Sequence, residues 1–151
     1  MSIPSLDDEG YLPEGVHDCA LEEVRARFGS FTTSDHRIML CDKLLFLIAE
    51  ADKTGLLKEV IIDGSFVTAK LRPNDIDLIL VLTDAPALGD RWLQLRPTHY
   101  NALSRKRLAK RYRFDVFVDV AGTPEHEDHL KFFQGILNRT RRKGVLRIRY
   151  D

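Results

Sequence analysis

A chain of 151 residues can bury one respectable core but leaves no room for a separate substrate domain. Its composition, 44% hydrophobic and 30% charged, is that of a soluble globular protein, and no run approaches the roughly 20 apolar residues that span a bilayer. Formal net charge is zero, yet residues 1–99 carry 10 basic and 17 acidic side chains and residues 100–151 carry 13 and 6, so the last third is suited to face an anion.

The N-terminus, with Pro4, Gly10, Pro13 and Gly15 and no periodicity, predicts an arm over residues 1–17, ahead of one domain over 18–151. It has neither the basic start nor the apolar run of a secretory signal, which makes the cytoplasm the expected compartment. Asp18 is the expected N-cap of a short helix to about Phe28, closed by Gly29. A stronger helix is expected after Thr33-Ser34, with Ile38, Cys41, Leu44, Leu45 and Ile48 at helical spacing and Gly55 as its stop. Both Cys19 and Cys41 read as free thiols.

From Leu56 the period changes, and Val60-Ile61-Ile62 reads as a buried strand running into Asp63-Gly64-Ser65. The segment from Asp75 to Leu82 reads as a central strand, apolar on both faces after its first three residues. Residues 84–97, with Pro86, Gly89 and Pro97, are expected as loop. One basic helix with Tyr100, Leu103 and Leu108 should follow, then a strand from Arg113 to Val120. Pro124 opens a helix to about Asn138, and Val145 and Ile148 mark a last short strand, with an edge position left open for it.

The chemistry concentrates around Asp75 and Asp77. On a strand, residues two apart share a face roughly 6.5–7 Å apart, so these carboxylates would stand side by side. Their repulsion raises the pKa of one unless a cation lies between them, and an all-oxygen set suits Mg²⁺ or Mn²⁺. Upstream, Gly64-Ser65 directly follows a strand, where a glycine lets backbone approach a ligand and amides plus a hydroxyl can hold phosphate oxygens. Lys70 and Arg72, between the two motifs, supply positive charge.

Gly64-Ser65-Phe66 followed by Asp75-Ile76-Asp77 resembles the signature of the DNA polymerase β superfamily of nucleotidyltransferases. That resemblance implies an α+β fold, a small mixed sheet with helices mainly on one face. It also implies a third carboxylate on a later strand. Phe114-Asp115-Val116 fits that pattern, and Asp115, at the leading end of its strand, is preferred to Asp119. More narrowly, Leu12 to Asp18, Gly64 to Lys70, Pro73 to Asp77 and Lys143-Gly144-Val145 resemble a family of uncharacterised bacterial domains (DUF6932-like) placed in that superfamily. The chain departs from many superfamily members at Thr68-Ala69, where those carry arginine and glycine.

The implied activity is transfer of a nucleoside monophosphate from a nucleoside triphosphate, with ATP the first expectation, to a protein, nucleotide or nucleic-acid acceptor. Asp75, Asp77 and Asp115 are the implied catalytic and metal-binding residues, and Gly64, Ser65, Lys70 and Arg72 the implied nucleotide contacts. A toxin–antitoxin or phage-defence setting, with a co-encoded protein partner, follows from resemblance to minimal nucleotidyltransferases. Nucleic acid is a less favoured partner, a membrane is not expected, and self-association is left open. The second reading is a module of the same fold that masks a partner. His126-Glu127-Asp128-His129 reads as an exposed polar turn, His17 and His36 have no obvious partner, and Asp63 reads as a strand-end cap.

Overall fold

The computed structural model describes residues 3–29, 35–135 and 142–150. Five strands, β1 (Gly15–Asp18), β2 (Leu57–Asp63), β3 (Asp77–Leu82), β4 (Asp115–Val120) and β5 (Gly144–Arg149), form one sheet in the order β1-β5-β2-β3-β4. The sheet is mixed: β1 runs parallel to β5 and β3 to β4, whereas β2 is antiparallel to both of its neighbours. Among the described residues six helices accompany it: α1 (Leu21–Phe28), α2 (Asp35–Asp52), α3 (Ala85–Leu93), α4 (Pro97–Ala102), α5 (Arg105–Tyr112) and α6 (Pro124–Phe133). Among the described residues no helix is long and apolar enough to cross a membrane.

Strand alternation divides the core in two. Val60, Ile62, Leu78, Leu80, Val116 and Leu146 point into the larger cluster, which α1, α2 and α5 complete through Val24, Phe28, Cys41, Leu44, Ile48 and Leu108. Ile61, Ile79, Val81 and Val145 point the other way and meet Phe133 and Leu130 of α6. Among the described residues, helices therefore cover chiefly one face, and α6 is the helix that takes part in the core of the opposite one. Both cysteines are buried free thiols, and burial pushes the Cys19 thiol up to about 12.

Several expectations need correction. The boundary at residues 17 and 18 falls inside β1, so the arm is part of the sheet, and its Ile3 and Leu12 are buried. Asp18 is no helix cap, because its carboxylate accepts from the Arg147 guanidinium at 2.6 Å across the β1–β5 pair. Instead, α1 starts after Ala20, whose N–H donates to Glu23 at 3.0 Å. Thr33-Ser34 lie outside the described residues. The buried stripe of α2 includes Arg37, while Ile38 is 43% exposed. Residues 85–93 are helical, since Pro86 sits in the first turn of α3, where no backbone donor is lost, and Gly89 faces open space. The basic helix is two, α4 and α5, divided where the Ser104 hydroxyl caps α5 by accepting from the Arg107 N–H. Asp75 precedes β3 instead of lying on it. Finally, β5 is interior, and β1 and β4 are the edges. The end expected for α6 near Asn138 lies outside the described residues.

Candidate functional site

The pairing register gathers three carboxylates. Asp63 of β2 stands opposite Asp77 of β3, and Asp77 stands opposite Asp115 of β4. Equal register in adjacent strands puts side chains on one face, so the three form a row across one end of the sheet. Burial pushes the Asp77 carboxyl up to about 7, helped by the negative charges of Asp75, Asp63 and Asp115, while Lys143 pulls the other way. Asp63 is buried, which raises its pKa, and the Lys143 ammonium meets its carboxylate and opposes that shift. Asp63 is thus part of the acidic row and not only an end cap.

Gly64 turns the chain with φ 92 and ψ −178, a region essentially reserved for glycine. A Cβ there would lie 2.9 Å from the Asp75 carbonyl oxygen and 3.0 Å from the Asp77 nitrogen. We therefore expect Gly64→Ala to cost about 1–3 kcal/mol from backbone strain alone, measured by chemical denaturation, and to displace Asp75 from Asp77. A variant as stable as the wild type would show that the turn relaxes freely.

The turn's donors are already engaged. Ser65 donates its hydroxyl to the Asp75 carboxylate, and its N–H reaches the same oxygen at 3.3 Å. The Phe66 N–H donates to the Asp75 carbonyl at 3.2 Å. In this conformation Asp75 takes the place an anion would occupy on the Gly64-Ser65 turn, where freed donors had been expected.

Beneath the turn lies Arg37, wholly buried on α2. Its guanidinium donates to the carbonyls of Phe28 at 3.0 Å, Phe66 at 2.7 Å, Thr68 at 2.8 Å and Lys70 at 3.1 Å. Thr68-Ala69 acquires a role at the same place. The Thr68 hydroxyl donates to the Ser65 carbonyl at 2.6 Å, and the Ala69 N–H donates to Gly10 at 3.0 Å, tying the N-terminal arm to the turn.

A cleft of about 1100 Å³ opens above. Asp63, Gly64, Ser65, Asp75, Asp77 and Lys143 line its floor and one side, Lys70 lines a wall, and Glu9 to Tyr11 and α6 complete it. Arg72 is not among the lining residues. Nor is Asp115, whose side chain is 58% exposed and lies 3.8 Å from Arg105 at the start of α5. Asp119 is engaged elsewhere: buried, it receives His129 Nδ1 at 2.8 Å and His126 Nδ1 at 3.3 Å. The two histidines are therefore not an exposed turn. His17 and His36 also have partners, the carbonyls of Pro13, at 2.7 Å, and Pro73.

The donor set of the row suits a hard divalent cation, being all carboxylate and burdened by like charge. As arranged, however, Asp75 is turned toward Ser65 and Asp115 toward Arg105. Among the described residues no three histidine, cysteine, aspartate or glutamate side chains converge on a point that could hold a metal.

The fold and site define a mixed α+β domain with an acidic row at the end of a five-stranded sheet. A family model described as a family of unknown function, DUF6932, matches residues 4–149, and the chain belongs to that family. No match was found among curated proteins or among solved structures.

Proposed function

We propose that this chain is a metal-dependent nucleotidyltransferase, of the class whose signature Gly64-Ser65 and Asp75-Ile76-Asp77 resemble. The supporting observation is the placement of Asp77 and Asp115 in one register beside the glycine turn, with Asp75 between turn and row. Asp75, Asp77 and Asp115 would hold Mg²⁺ or Mn²⁺, which when bound acidifies an acceptor hydroxyl and offsets phosphate charge. The triphosphate would rest on the Gly64-Ser65 turn, where the Ser65 hydroxyl and N–H that now serve the Asp75 carboxylate would become free for it once that carboxylate turns to a cation. Lys70 on the wall and Lys143 on the floor offset charge on the leaving pyrophosphate, whereas Arg72 does not line the cleft. The acceptor oxygen forms a bond to the α-phosphorus as the bond to pyrophosphate breaks.

The experiment is pyrophosphate release from each of the four ribonucleoside triphosphates with Mg²⁺, with and without a co-encoded protein or an oligonucleotide as acceptor. Release with any of them supports transfer. Nucleotide binding without release favours the second reading, a partner-masking module, for which the engaged donors of Ser65 and Phe66 speak.

The choice of third carboxylate gives a paired prediction. Asp115→Asn should abolish release with little effect on stability, because Asp115 is exposed beside Asp77. Asp119→Asn should leave release within about tenfold but lower stability by about 1–3 kcal/mol, since it weakens a buried charge-assisted network. Release assays and denaturation midpoints on both variants check this, and a reversed pattern contradicts the assignment.

A further inference from the structure

The cleft is larger than three phosphates need, and its outer wall is built from residues the transfer chemistry does not use. On α6, His126 and Leu130 turn to the sheet, Phe133 packs in the core beneath it and also borders the cleft, and Asp128, Lys131 and Phe132 line the cleft from the exposed side of the helix. Phe132 is 69% exposed, so one face of its ring is open to a ligand in the cleft. Asp128 and Phe132 are four residues apart in this helix, so they are neighbours on its surface, one turn from each other. The arm adds Tyr11 to the lining, its backbone held by its N–H donating to the Asp7 carboxylate at 3.0 Å and by the bond from Ala69 to Gly10. The cleft thus has a phosphate end at Gly64 and an end with an aromatic plane and a carboxylate.

A carboxylate only accepts hydrogen bonds. Guanine alone among the common bases offers two adjacent donors, N1–H and the N2 amino group, on its pairing edge. Adenine and cytosine each offer one donor beside a ring nitrogen whose lone pair would face the carboxylate, and uracil offers one N–H between two carbonyls. Two parallel bonds to an ionised acceptor give strength and geometric selectivity together. Resting on the nucleotide-binding reading above, we infer that this wall selects a guanine nucleotide, its ring stacked on Phe132 and its pairing edge donating to Asp128. Stacking on Phe132 adds affinity for any base, so preference among bases resides in Asp128.

The test is binding of non-hydrolysable β,γ-imido analogues of GTP and ATP to the full chain, by calorimetry with Mg²⁺, for the wild type, Asp128→Asn and Phe132→Ala. Both side chains are exposed, so neither change threatens the fold. The wild type should prefer the guanine analogue by about 10- to 100-fold. Asparagine offers one donor and one acceptor, which matches adenine, so Asp128→Asn should erase or invert that preference. Phe132→Ala should weaken both analogues by about tenfold or more and keep their ratio. Equal or adenine-preferring binding by the wild type, or a guanine preference untouched by Asp128→Asn, overturns the inference and leaves the transferase reading standing. Absence of binding by both analogues overturns the inference, and the transferase reading falls with it only if the cytidine and uridine analogues also fail to bind.

Discussion

Asp77→Asn is expected to abolish pyrophosphate release and, at pH 8, to melt at a higher temperature than the wild type. The loss of activity, about 10³-fold or more, follows from removing the central carboxylate of a site whose catalysis is charge stabilisation. The gain in stability follows from the same charge. In the fold the Asp77 carboxyl titrates near 7, raised first by burial and then by Asp75, Asp63 and Asp115, against an ordinary value of 3.8 in the unfolded chain. Folding therefore takes up a proton between about pH 4 and 7, and the wild type loses stability as pH rises through that window. Above pH 7 the whole penalty is present; asparagine never carries it. Melting curves of the two proteins should converge near pH 4 and separate toward pH 8. Adding Mg²⁺ at pH 8 should raise the wild type's melting temperature and leave the variant's unchanged. A variant that unfolds at every pH would mean that Asp77 serves the fold and not a cation.

Arg37→Met should give the largest loss of stability of any single change on α2, about 3–5 kcal/mol. Methionine can fill much of the space of the aliphatic stem but strands the carbonyls of Phe28, Phe66, Thr68 and Lys70, which accept from the guanidinium inside the protein. Domains of this size are stable by only about 5–15 kcal/mol, so the variant stands close to the unfolding threshold. Burial lowers the guanidinium pKa to about 10, which leaves it charged at neutral pH. Arg37→Lys, with one ammonium in place of a planar fork, should recover only part of the loss. Urea midpoints check the series, and a loss below about 1 kcal/mol for Arg37→Met contradicts the account, being less than one unsatisfied buried acceptor costs.

The parts of the site legible in the sequence were those carried by neighbours along the chain. Val60-Ile61-Ile62 running into Asp63-Gly64-Ser65, and the apolar run after Asp77, announced two strands and a turn. Asp115 opens its strand, and parallel pairing of β3 with β4 sets it opposite Asp77. What escaped depended on contacts between distant segments. Lys143 meets Asp63 from 80 positions away, and nothing near either residue signals the other. Arg37 falls on a stripe otherwise apolar, where a charged residue argues for exposure unless the carbonyls it will meet are known. The same limit applies to the motifs in the arm and at Lys143-Gly144-Val145, whose contact with each other no local spacing announces. They are one structural unit: Gly15 pairs with Gly144, and a Cβ on Gly144 would lie 2.0 Å from the Pro13 carbonyl oxygen, so this glycine lets the arm enter the sheet. In α3, proline and glycine suggested a loop because their position within the helix, not their presence, decides whether they break it.

The central claim is that the carboxylate row and the Gly64 turn together bind a divalent cation and a triphosphate. Titration with Mn²⁺ in the presence of a non-hydrolysable nucleoside triphosphate, followed by electron paramagnetic resonance, tests it most directly. Bound Mn²⁺ is expected for the wild type, a reduced amount without nucleotide, and none above the nucleotide-only control for Asp77→Asn. Equal Mn²⁺ binding by the wild type and Asp77→Asn, or none by either, would contradict it.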